Sequence, residues 1–172
     1  MDNWKTRFDT MLPYMGQVKQ LVRSGLDVSD DVLIEETTRE ADQKTASDLL
    51  IHWPQPQTLA VRLRGSEYLR YADSFTFRTS GGSGISELEK IRQGYAHFLF
   101  YGFTADGLIV KWMIADLSVF RRYFENAVDC WGMSPGQERQ NKDGSSFRVF
   151  DIDQVERVER FLLAQDKLVA AQ

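Results

Sequence analysis

The sequence predicts a mixed α/β (α+β) fold, a central mixed sheet flanked by helices, and three observations predict it. The runs TLAVRLR and SFTFRTS alternate apolar and polar residues with the period of two that a half-buried strand requires. The run HFLFYGF is almost wholly apolar and aromatic, as in a strand covered on both faces. Between and around these lie segments whose apolar residues recur at three and four positions, the spacing of a helix face. Strands and helices therefore intermix, which favours a layered sheet over separate all-α and all-β parts.

Residues 4–24 read as helix, with Trp4, Phe8, Met11 or Leu12, Met15, Val18 and Val22 on one stripe. Pro13 breaks or restarts it, and Gly25 is a suitable stop. Ser29 or Asp30 can cap an acidic helix from Asp31 to about Ala41, in which Glu36 and Glu40 share a face. Ala46–Trp53 reads as a first strand, closed by Pro54 and Pro56. Thr58–Arg64 and Ser74–Ser80 are the second and third, and in the former Leu59, Val61 and Leu63 point opposite to Arg62 and Arg64. Gly81-Gly82-Ser83-Gly84 is a flexible turn with no lysine at the spacing a phosphate loop needs.

Ser86 caps a helix from Glu87 to Gln93 that ends at Gly94. Ala96–Phe103 and Leu108–Ala115 form strands joined across Asp106-Gly107, a hairpin signal. Asp116 or Ser118 caps a helix to about Val128. Ser134–Ser146 is polar throughout and reads as a mobile loop, Phe147–Ile152 as a short strand. A last helix starts from an Asp153 cap, with Val155, Val158, Phe161, Leu162 and Leu168 inward. The core order is helix-strand-strand-strand-helix-strand.

A chain of 172 residues suits a single domain, residues 1–172. It divides into an N-terminal helical extension (1–28), a core (30–128), and a tail of loop, short strand and helix (129–172). With 42% hydrophobic residues it can bury a substantial core, and a net charge of −4 rules out an overall basic coat of the kind that binds DNA non-specifically. Charge is nonetheless uneven. Asp30–Asp48 holds seven acids and two bases, whereas Arg62–Ser80 holds four arginines and two acids. The one cysteine, Cys130, precludes an internal disulfide and reads as a small buried hydrophobe. No apolar run is long enough to span a bilayer, and the charged N-terminus lacks the apolar centre of a signal peptide, so a soluble, cytoplasmic protein without a membrane partner is expected.

The polar groups suggest a site. Glu40 ends the acidic helix, Asp48 opens the first strand, and Glu87 and Lys90 share a helical face. Carboxylates of this number can hold Mg²⁺ or Mn²⁺, which activates water for phosphodiester hydrolysis, while a lysine stabilises developing charge and arginines hold phosphate. The same groups also have plain structural readings: solvent-facing glutamates, a strand-end Asp48 paired to an arginine, and a first-turn Glu87 bridged to Lys90. His52 shares a face with Asp48 and can add a metal or phosphate ligand or be a satisfied structural histidine; His97 sits in a buried run and has no assigned chemistry.

In this order the residues resemble the PD-(D/E)XK nuclease superfamily, the fold of Holliday-junction resolvases and many restriction endonucleases. The resemblance covers residues 30–103. Glu40 (or Glu36) matches that family's helical Glu, and Asp48 in ASDLLIHW matches its strand Asp. TLAVRLR follows as the next strand, and SELEKIRQGYAHFLFYGF as the helix and strand. Where the family carries Glu-x-Lys this chain has Arg62-Leu63-Arg64, and arginine neither ligates a metal nor serves as an ordinary base. Relocation of the missing pair to Glu87 and Lys90 is what the resemblance then implies.

The expected function is a metal-dependent nuclease acting on DNA. Glu40, Asp48 and Glu87 would be its metal carboxylates, Lys90 its catalytic lysine, and Arg62, Arg64 and Arg78 its phosphate contacts. The alternative is an inactive nuclease-fold module that binds nucleic acid (through Arg62, Arg64, Arg70 and Arg78) or a protein partner, as an accessory, phage-type regulator. A third reading is a self-associating protein, a homodimer through Trp4, Phe8, Trp112, Phe120, Phe124 and Trp131.

Overall fold

A computed structural model describes residues 10–38, 44, 46–80, 84–132 and 134–166. Its framework is a six-stranded sheet in the order β1-β2-β3-β5-β6-β9, with a second sheet in the order β4-β8-β7 packed beside it. The strands of the large sheet are β1 (Ile34–Glu36), β2 (Leu49–His52), β3 (Pro56–Gly65), β5 (Phe98–Ala105), β6 (Leu108–Asp116) and β9 (Leu162–Gln165). Those of the small one are β4 (Ser74–Arg78), β7 (Gln137–Gln140) and β8 (Ser146–Asp151). Every pairing is antiparallel except β3 with β5. A parallel pair needs a long crossover. Here it comprises a 3-10 helix (Ser66–Tyr71), β4 and a short helix, so the crossover itself contributes a strand to the second sheet.

Four α-helices complete the described chain: α1 (Met15–Gly25), α2 (Glu87–Arg92), α3 (Leu117–Trp131) and α4 (Ile152–Glu156). Helix α1 lays Met15, Val18 and Val22 on one face of the large sheet, over Ile34, Leu49, Ile51, Leu59, Val61, Phe100 and Ile114. The opposite face carries Ala60, Leu99, Tyr101, Phe103, Met113 and Ala115, covered by α2, α3 and the small sheet. Strand β5 is thus buried on both sides, as its apolar run predicts, and β3 alternates as expected, with Ala60, Arg62 and Arg64 toward the α2 side. The Asp106-Gly107 hairpin is present, both residues at positive φ (51° and 77°), the pair of left-handed conformations that a tight two-residue turn of matching twist demands. Ser86 caps α2 by accepting from the Glu89 amide, and Asp116 caps α3 by accepting from that of Ser118.

Three elements differ from the sequence reading. The helix expected from Asp31 is a strand, β1, over Ile34–Glu36: Ile34 buries against α1 and pairs with Ile51, and that pairing outweighs an acidic first turn with no apolar stripe behind it. The polar stretch 134–146 is not a loop but contributes β7, a solvent-exposed strand paired to β8 through the turn in which Asn141 N–H donates to Ser145 O at 2.7 Å. Its four residues, Gln137–Gln140, have no apolar alternation because neither face touches the core. The final helix is brief. It is capped by Asp151 instead of Asp153 and stops because the Glu156 carboxylate accepts the Phe161 and Leu162 amides, both at 2.8 Å, turning the chain into β9. The first part of the N-terminal helix (Trp4, Phe8), the stretch 39–43 with Glu40, the turn 81–83 and Leu168 lie outside the described residues.

Two smaller expectations also change. Cys130 is exposed, because the last turn of α3 runs past the core that holds Phe120, Phe124 and Ala127. Phe120 and Phe124 are wholly inside and offer no surface to a second copy, while the side chain of Trp131 is outside the described set. Among the described residues no helix is long and apolar enough to cross a membrane.

Candidate functional site

The alternation of β3 sends Arg62 and Arg64 into the seam between the large sheet and the crossover that packs on it. There Arg62 forms an ion pair with Glu87, the first residue of α2, with side-chain exposures of 21% and 19%. The second oxygen of Glu87 accepts the backbone N–H of Arg78 at 2.9 Å. One carboxylate therefore fastens β3, the end of β4 and the start of α2 together. The neighbouring guanidinium, of Arg64, donates from Nη2 to Thr76 Oγ1 at 2.6 Å and from Nε to Tyr101 Oη at 3.2 Å, joining β3, β4 and β5. These bonds make a continuous polar row inside an otherwise aromatic interface. Both guanidiniums sit where burial would be costly without acceptors, and both find them.

Asp48 precedes β2 and clamps the edge of β3. Its amide donates to Leu59 O at 2.9 Å and its Oδ2 accepts the Val61 N–H at 2.5 Å. Ala46, in the left-handed region at φ 52°, makes the bend that aims it. Asp48 and Glu87 thus engage consecutive residues of β3: Asp48 the amide of Val61, Glu87 the side chain of Arg62. Lys90 lies half-buried one turn along α2. Arg78 joins the cluster through its backbone, and Glu40 falls outside the described residues. Glu36 is on β1, bridged to Lys19 at 2.7 Å, and His52 pairs with Glu35 at 2.7 Å at the far end of β2, so neither is part of this cluster.

Mg²⁺ demands near-octahedral oxygen ligands. The oxygens of Glu87 are directed to a guanidinium and an amide, and the described residues contain no group of three or more His, Cys, Asp and Glu able to hold a metal.

His97 has a structural assignment that the sequence left blank. It opens the approach to β5, where its Nδ1 lies 3.0 Å from the Thr58 amide and 2.9 Å from Thr58 Oγ1, while Tyr95 O accepts from Ser47 and Thr58 hydroxyls. Burial, then the nearby Arg121, hold its pKa below the usual 6.5, against a smaller upward pull from Asp116. A neutral ring is what the bond requires, since a protonated Nδ1 cannot accept. Because the folded pKa is lowered, the unfolded chain binds a proton that the folded one does not as pH falls below about 6.5. Stability contributed by this ring is full above that value and declines toward acid. We expect the wild type to lose stability between neutral pH and about pH 5, and His97→Asn, which keeps an acceptor but cannot titrate, to lose less. Urea denaturation at several pH values checks this; parallel curves would refute it.

No family model, curated protein or solved structure matches this chain significantly. The sequence reading placed Arg62 and Arg64 on one face but did not connect Arg62 to Glu87, and it passed over the stretch SEYLRY, whose tyrosines three apart were the available signal.

Proposed function

We propose that the chain is a nucleic-acid-binding module, and that it does not hydrolyse phosphodiester bonds. The observation that carries this reading is the Arg62–Glu87 ion pair. A guanidinium supplies a fixed positive charge to Glu87 but has no open coordination position at which to activate water. Arg70 and Arg78, on the crossover after β3, are the cations offered to phosphate. Phosphodiester hydrolysis with Mg²⁺ or Mn²⁺ at Glu40, Asp48 and Glu87, assisted by Lys90, is the second reading. It is favoured by one observation, the convergence of Asp48 and Glu87 on consecutive residues of β3.

Fluorescence anisotropy with labelled oligonucleotides at rising salt tests the proposal. Two phosphate contacts predict a log–log slope of about −1.4 for a single strand, reduced by about 0.7 for each arginine changed to alanine. Binding that is absent at low salt, with a stable complex to a protein instead, would overturn it.

A further inference from the structure

Resting on that reading, we infer that the 3-10 helix Ser66–Tyr71 is a stacking platform for the bases of single-stranded nucleic acid, with Tyr68 and Tyr71 as its two rings. In a 3-10 helix residues three apart eclipse one another. The helix SEYLRY and the residue after it therefore present three rows, Glu67 and Arg70 forming the one between the other two. Leu69 and Ala72 form the inner row and pack against the aromatic core, which fixes the platform to the sheet. Tyr68 and Tyr71 form the outer row and remain 44% and 52% exposed, unusual for large aromatic side chains. Their Cα atoms are about 6 Å apart along the axis, comparable with two stacking steps of about 3.4 Å.

Charge complements the rings. The Arg70 guanidinium lies 4.8 Å from the Tyr71 ring centroid and that of Arg64 lies 5.7 Å from Tyr68. Each cation–π contact holds its ring in position, and Arg70, exposed on the same helix, supplies the cation for a phosphate. The acids nearby are Glu67 and Asp73, the latter 3.8 Å from Lys111. The platform follows directly from the carboxyl end of β3, one of the two parallel strands, and the carboxyl ends of parallel strands are where open sheets receive ligands. Rings on a convex surface helix cannot enter a stacked duplex, whereas every unpaired base offers a face to them. The occupant is therefore single-stranded, without sequence preference.

The test measures anisotropy of a labelled oligothymidylate of about 16 nucleotides and of a duplex of equal length at low salt, for the wild type, Tyr68→Ala/Tyr71→Ala and Tyr68→Phe/Tyr71→Phe. The wild type should prefer the single strand. The alanine pair should weaken single-strand binding at least tenfold, and the phenylalanine pair should leave it within about twofold because stacking needs no hydroxyl. Unchanged thermal unfolding of both variants shows that the fold is intact. Single-strand binding that ignores both substitutions overturns this inference and leaves the nucleic-acid reading standing. A preference for the duplex does the same. Absence of binding to either oligonucleotide overturns both.

Discussion

Phe150→Ala should destabilise the protein by about 3–5 kcal/mol, the usual cost of emptying a buried phenylalanine site. Phe150 is 1% exposed on β8 and is the ring on which the second layer is assembled. It stacks on Phe75 of β4 at 5.4 Å, meets Phe120 of α3 edge-on at 4.9 Å, and lies 6.1 Å from Phe77 and 6.3 Å from Phe124. Removing it strips partners from four aromatic rings at once and leaves a cavity that a sheet, a helix and the large sheet beneath cannot jointly collapse into. Phe150→Leu keeps most of the volume and should cost about half as much. Chemical denaturation of the three proteins measures this. A total stability of about 5–15 kcal/mol means that the alanine variant should be studied well below its melting temperature. A loss under about 1 kcal/mol would mean that the small sheet is not seated on α3.

The second large effect is expected at the Arg62–Glu87 pair. Removing one partner of a buried ion pair typically costs about 3–5 kcal/mol, because the other charge stays behind without its counter-charge. Each side chain here keeps about a fifth of its exposure, so Arg62→Leu should cost about 2–3 kcal/mol. Adding Glu87→Gln to Arg62→Leu removes the stranded charge yet preserves an acceptor for the Arg78 amide, and it should restore more than half of the loss. A double-mutant cycle reads the coupling directly. Simple additivity of the two substitutions would show that the guanidinium and carboxylate do not depend on each other.

What the sequence reveals depends on whether a feature is local. The alternation in TLAVRLR and the doubly buried HFLFYGF are set by residues side by side, and both strands appear where their patterns put them. So do the Ser86 and Asp116 caps and the Asp106-Gly107 turn. Strands β1, β7 and β9 are three or four residues long and lie at sheet edges, and each owes its conformation to a partner strand. Their own residues carry too little pattern, so the acidic stretch reads as helix and the polar one as loop. The same division holds at the site. That Arg62 and Arg64 share a face follows from a period of two. That Glu87 meets Arg62 across 25 residues follows only from where the crossover docks α2. That Asp48 serves the Val61 amide depends on a left-handed Ala46, a conformation that no alanine announces.

We propose, from the Arg62–Glu87 pair, that this chain grips nucleic acid without cutting it. The most direct measurement recovers a labelled single strand from its complex with the protein after incubation with Mg²⁺ or Mn²⁺ and sizes it on a denaturing gel. A retained strand of unchanged length is expected with either ion. Shortened products that appear only with the metal, and vanish in Asp48→Ala while that variant stays folded, would contradict it.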